Sequence, residues 1–249
     1  PDNVVVETGS KHNSSSSITC EVNGGNSAPY RDNKGRALYK SASVPVKLDV
    51  TDTHSGLKEV SYQIISNTYE SNVYVATVDK NGAITTNTVN NENIYDRGWT
   101  CASEDRDKNL VTHMTNTINV RSNSNNISIV VKIVDRAGHT STKTFESLFS
   151  IDRTNPKVEV TFEGNAENQN YYKDGRELTI LVTERNFDPD KFGWDGINTL
   201  SGVSGVDNQW TVSNLGANNE PDDNTVYTKK IFFNGDEDYS VSLSCLDMA

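Results

Sequence analysis

Apolar residues in this chain recur at every second position, in short runs. Ile127, Ile129, Val131 and Ile133 fall on one face, the period of two that a half-buried strand requires. Asp135–His139 turns the chain, and a second run, Thr140–Ile151, leads to a junction at Asp152-Arg153-Thr154-Asn155-Pro156. The first half of this pattern returns near the C-terminus. With Asp247 over Asp135, Tyr239, Val241, Leu243 and Cys245 lie over Ile127, Ile129, Val131 and Ile133. The chain therefore reads as two copies of one β-unit.

Earlier stretches pair in the same way. Ile18, Cys20 and Val22 alternate before Gly24-Gly25, and Val158, Val160 and Phe162 alternate before Gly164. Val44, Val46, Leu48 and Val50 have their counterpart in Leu178, Ile180 and Val182. Further strands are expected at Leu57–Ile64, Val73–Val78, Ala83–Val89, Val111–Val120, Val226–Phe233 and Tyr239–Leu246. Asn81-Gly82 between two β-prone runs predicts a type I′ hairpin, whose central residues both need positive φ. Residues 90–110 read as an irregular polar loop. Asp188-Pro189 predicts one helical turn, with Asp188 as its cap. Short strands with frequent turn signals argue for an all-β chain of two β-sandwiches in tandem. The expected division is a leader over 1–14, a first, enlarged sandwich over 15–152 and a second over 153–249.

Charge narrows the partners. The chain has 23 Lys+Arg against 34 Asp+Glu, a net charge of −11. Split after Asp152, the first part has 15 basic and 17 acidic residues (−2) and the second 8 and 17 (−9). That lopsided acidity argues against nucleic acid and anionic membranes as partners, and a monomer is expected. No apolar run is long enough to span a bilayer as a helix. Three cysteines do not make a disulfide framework, although Cys20 and Cys101 could pair.

Candidate chemistry is sparse. His12, His54, His113 and His139 are scattered without metal-ligand spacing, and no nucleophile motif appears, so no catalytic residues are assigned. Asp222, Asp223, Asp236 and Asp238 are weak calcium candidates, but loop carboxylates are ordinarily just solvated. Stability is therefore expected not to depend on calcium, and no cofactor is expected. Tyr95, Trp99, Trp194 and Trp210 are placed in loops, where aromatics can stack on sugars or anchor a protein. The plainer expectation is that these loops tuck onto the sandwich ends. Asp238-Tyr239 suggests a tyrosine corner, with the hydroxyl bonded back to a nearby backbone group. Asp135 and Asp247 suggest Asx-type turns.

Ile151-Asp152-Arg153-Thr154-Asn155-Pro156, Asn170-Tyr171-Tyr172, Thr179–Pro189, Asp238-Tyr239 and Asp247-Met248-Ala249 resemble tandem bacterial Ig-like domains of Gram-positive cell-surface proteins. The match is close over 151–249 and looser over 15–150, where the junction motif is replaced by a Ser run. The resemblance implies an extracellular, wall-attached, non-catalytic stalk or adhesion module. It leaves open specific binding of a host protein, an immunoglobulin or mucosal glycoprotein, or of a glycan on behalf of a larger enzyme. Surface proteins of this kind sometimes carry Lys–Asn isopeptide bonds. Lys47, Lys132 and Lys157 are out of phase with the apolar positions of their strands, so no such bond is expected. The numbering reaches Ala249 inside the turn that matches Asp135–His139. The second sandwich is thus expected to lack its last strand, leaving a sheet edge unpaired. Val4-Val5-Val6 of a neighbouring molecule is a weak candidate to fill it by strand addition.

Overall fold

Alternation becomes strand in most of the expected stretches, but of Tyr239–Leu246 only Ser242–Ser244 is a strand. The computed structural model describes residues 16–102, 110–163, 166–168, 171–172, 175–195, 201–235 and 238–248. The expected leader over 1–14, His12, Asp236 and the proposed Val4–Val6 donor lie outside them. Among the described residues there is no α-helix, and the chain divides into two compact units between Arg153 and Thr154.

The first unit contains β1 (Ser16–Val22), β2 (Tyr30–Arg31), β3 (Ala37–Tyr39), β4 (Val44–Asp52), β5 (Leu57–Ile65), β6 (Tyr74–Val78) and β7 (Ile84–Thr85). These are followed by β8 (Val89–Asn90), β9 (Ile94–Asp96), β10 (His113–Val120), β11 (Ile127–Asp135) and β12 (Thr140–Ile151). One sheet runs β1-β4-β10-β9-β8 and the other β2-β3-β12-β11-β5-β6-β7. Val46, Leu48, Val50 and Ile118 of the first pack with Val60, Tyr62, Ile64, Ile129 and Val131 of the second in one buried cluster. Removing this apolar area from water is the main stabilising term.

The second unit contains β13 (Lys157–Glu163), β14 (Ala166–Asn168), β15 (Tyr171–Tyr172), β16 (Arg176–Thr183), β17 (Gly193–Asp195), β18 (Val203–Ser204), β19 (Thr211–Ser213), β20 (Val226–Phe233) and β21 (Ser242–Ser244). β13, β16, β20 and β18 form one sheet, with β19 also on β20, and β17 pairs with β21. The register of the first unit recurs here. Ile18, Cys20 and Val22 face Val50, Leu48 and Val46, and Val158, Val160 and Phe162 face Val182, Ile180 and Leu178. Met114 faces Val50 as Tyr227 faces Val182. The turns match as well: Asp52 N–H donates to the Thr112 carbonyl (2.8 Å) and Glu184 N–H to that of Thr225 (3.1 Å).

Several local expectations change. Only Gly82 of the β6–β7 turn has positive φ, because Asp79 Oδ1 accepts the N–H groups of Asn81 and Ala83 at 2.8 Å and shapes a different turn from type I′. Ala83–Val89 is not one strand: it splits into β7 and β8, which belong to different sheets. The start of the expected 90–110 loop is instead a hairpin, β8–β9, while residues 103–109 lie outside the described residues. Asp188 does cap the turn at Pro189–Lys191, accepting from Asp190 N–H at 3.1 Å. Tyr239 donates its hydroxyl to the Ser201 carbonyl, 2.9 Å away but remote in sequence, so it ties two loops together and is no local corner. One core-phase lysine escaped the pattern reading. Lys229 is buried beside Tyr227 and Ile231, and its ammonium donates to the carbonyls of Asp207 (2.5 Å) and Gln209 (2.9 Å) and pairs with the Asp207 carboxylate.

The turn aspartates are structural. Asp52 Oδ1 accepts the N–H groups of Ser55 (2.9 Å) and Gly56 (3.0 Å), and Asp135 Oδ1 that of His139 (2.7 Å). Burial works to raise the Asp135 pKa. Hydrogen bonds from the His139 ring, the Ser55 hydroxyl and the His139 amide outweigh burial and bring it down to about 2. A folded pKa below the unfolded value of about 3.9 means the ionised carboxylate favours folding. That contribution is present above about pH 4 and lost as pH falls toward about 2. Asp135→Asn is expected to lower stability at neutral pH and to flatten the fall in urea midpoint between about pH 4 and 2. Parallel midpoint-against-pH curves for variant and parent would contradict this.

Candidate ligand-binding site

The alternation of β9 buries Ile94 and Asp96 and turns Tyr95 outward. Two guanidinium groups approach its ring, Arg97 at 5.6 Å and Arg121 at 5.1 Å from the centroid. Arg97 Nε donates to the Tyr95 hydroxyl at 2.7 Å. Arg121 Nη1 is held by the Asn90 side chain (3.0 Å) and the Asn91 carbonyl (3.2 Å), so the cation is positioned by the β8–β9 turn. Stacking cations on an aromatic face is favourable and leaves the donors on the ring's rim.

In the same unit, Thr68, Tyr69, Glu92, Asn93, Ser122, Asn123 and Arg153 line an open cleft of about 450 Å³. Arg121 links the two features: its N–H donates to the Asn93 carbonyl (2.7 Å), and its own carbonyl accepts from Arg153 Nη2 (3.0 Å). Asn123 Oδ1 accepts Arg153 N–H at 3.0 Å. Burial, with neighbouring Tyr74 and Glu92, pushes the Tyr69 phenol up to about 12, so it stays a neutral donor. A wall of amides, hydroxyls, one carboxylate and one guanidinium suits a ligand rich in hydroxyl groups or a polar peptide surface.

The other expected aromatics lie elsewhere. Trp99 is 4% exposed and belongs to the core of the first unit. Gly98 sends it there: its φ of 92° and its N–H bond to Asp96 Oδ1 (2.6 Å) turn the chain inward. Trp99 thus leaves the candidate surface. Trp194 and Trp210 do meet, ring centroids 6.4 Å apart and near parallel, but as half-buried members of a cluster with Phe187 and Phe192 that forms the core of the second unit.

Among the described residues the acidic candidates Asp222, Asp223 and Asp238 do not gather into a metal site. Asp222 Oδ1 accepts Asn224 N–H (2.8 Å) in its own turn, Asp223 pairs with the buried Arg185 (3.2 Å), and Asp238 is exposed. Among the described residues no three His, Cys, Asp or Glu side chains are grouped to hold a metal. Cys20 and Cys245 are free thiols, so Cys20 is not paired with Cys101. The residues that pattern reading missed are Arg121, Tyr69 and Asn93. Arg97-Gly98 beside Tyr95 was visible in the sequence, but nothing there brings residues 68, 93, 121 and 153 together.

No family model and no curated protein matches the chain. Among solved structures, a chicken TCR is similar at 8% identity and a TM-score of 0.32, over 81% of this chain and 87% of that one.

Proposed function

We propose that this chain is a non-catalytic extracellular module of a bacterial cell-surface protein, two tandem immunoglobulin-like β-sandwiches acting as stalk and adhesion domains. The observation that carries it is the recurrence of one antiparallel pairing order in both units, β1-β4-β10 as β13-β16-β20 and β5-β11 as β17-β21. Repetition of one mechanical unit is what a stalk needs. The order β1-β4-β10-β9 in one sheet and β3-β12-β11-β5-β6 in the other, with β3 parallel to β12, supports the immunoglobulin-like reading. The resemblance of the junction and strand motifs to Gram-positive surface domains supports the location.

The Tyr95–Arg121 surface and its cleft favour a second reading, capture of a host glycoprotein or a glycan. Glycan and serum-protein arrays separate the two. A pure stalk shows no saturable ligand. A binding module shows one, weakened at least tenfold by Tyr95→Ala or Arg121→Ala and unaffected by Trp194→Ala, since Trp194 lies in the other unit's core.

A further inference from the structure

β13 is a sheet edge with an apolar face in the open. Among the described residues it pairs with β16 alone, and all of Lys157–Glu163 is exposed. Val158, Val160 and Phe162 are 39%, 42% and 52% exposed, although Val182, Ile180 and Leu178, opposite them on β16, are buried. The Arg176 guanidinium lies 4.5 Å from the centre of the Phe162 ring and still leaves half of Phe162 in water. Edge strands ordinarily carry a device against pairing, such as a bulge, a proline or an inward-pointing charge. β13 has none of these: it runs in unbroken register with β16, and its charges sit on the face away from Val160.

The strand is also self-complementary. In Lys157-Val158-Glu159-Val160-Thr161-Phe162-Glu163, an antiparallel copy centred on Val160 sets Lys157 opposite Glu163, Val158 opposite Phe162, Glu159 opposite Thr161 and Val160 opposite itself. Each apolar residue then meets an apolar residue on the same face, and each end closes on a Lys–Glu pair. Slips by two residues keep the faces matched but set Glu159 against Glu159 in one direction and against Glu163 in the other. Like charges directly opposite are destabilising. A slip by one residue puts the two apolar triplets on opposite faces of the sheet. The sequence thus favours one register over its neighbours.

We propose that β13 is a homodimer interface, its free edge pairing antiparallel with β13 of a second copy of this chain in the register centred on Val160. The two-fold axis runs normal to the sheet, so the contact is isologous and both apolar triplets lie on one face. The edge N–H and C=O groups gain partners, and cross-strand neighbours cover the exposed Val and Phe side chains. Lys157 already pairs with Glu159 of its own strand and comes between that carboxylate and Glu163 of the second copy. The second half of the chain carries 8 basic and 17 acidic residues, and this net −9 opposes association. The dimer is therefore a weak, transient one. It is independent of what the first unit binds.

Sedimentation of the full chain tests this. At about 100 µM the parent is expected to show a monomer–dimer equilibrium. Val160→Lys sets two ammonium groups together on the axis and should weaken the dimer at least tenfold. The melting of the dilute, monomeric variant should match the parent's, because Val160 is already 42% exposed. Glu163→Lys alone and Lys157→Glu alone should each weaken the dimer too, since each sets like charges opposite one another at both ends. An equimolar mixture of those two variants restores a Lys–Glu pair at both ends and should associate as the parent does. A parent that stays monomeric at about 1 mM overturns the proposal. A dimer that survives Val160→Lys also overturns it, by placing the contact on another surface. Single charge variants that associate as well as their mixture overturn it by excluding this register.

Discussion

Asp96→Ala is expected to destabilise the first unit by at least about 3 kcal/mol. Asp96 is 2% exposed and holds three donors: the Tyr62 hydroxyl at 2.5 Å, Asn116 Nδ2 at 3.2 Å and Gly98 N–H at 2.6 Å. These come from strands of both sheets and from the turn that buries Trp99. Burial, together with the Asp96 carboxylate, drives the Tyr62 pKa upward, so its hydroxyl remains a donor. Removing the acceptor strands each donor in the core, at about 1–3 kcal/mol apiece. Asp96→Asn keeps one acceptor oxygen and should lose less. Tyr62→Phe should cost clearly less in the Asp96→Ala background than in the parent, because the bond it breaks is already gone. Urea unfolding of the four proteins checks this. Additive losses would mean that Asp96 and Tyr62 act separately.

Phe187→Ala should unfold the second unit preferentially. Phe187 is 2% exposed and is the hub of its aromatic core, with ring centroids at 4.9 Å from Trp210, 4.9 Å from Tyr227 and 6.1 Å from Phe192. Truncating a buried Phe costs about 3–5 kcal/mol in lost transfer energy and cavity. In a unit of this size that lowers a melting midpoint by more than about 10 °C. Calorimetry of the full chain should show one transition falling by that amount and the other in place. Two transitions falling together would mean the units are thermodynamically one body.

These two residues mark the limit of what the sequence discloses. The central strands of both units were legible because their buried positions obey a period of two, as at Leu48 and Ile180. Asp96 was not legible. It occupies a core-phase position with a polar side chain, and its partners lie at residues 62, 98 and 116, which only the folded sheets bring together. Lys229 escaped for the same reason, since Asp207 and Gln209 reach it from a remote loop. Trp99 looked available because a polar loop surrounds it; the positive φ at Gly98 and the Asp96 carboxylate turn it inward. Tyr95 was legible as a candidate, but Arg121 and the cleft were not, because they depend on which turns share one end of the unit.

Pulling the full chain from its two ends in a single-molecule force experiment tests the tandem-stalk account most directly. With the unit boundary between Arg153 and Thr154 and about 3.5 Å of contour per extended residue, the account predicts two separate unfolding steps. One should release roughly 500 Å and the other roughly 300 Å, and Phe187→Ala should weaken the shorter step alone. A single step releasing the whole length, or steps divided elsewhere, would contradict it.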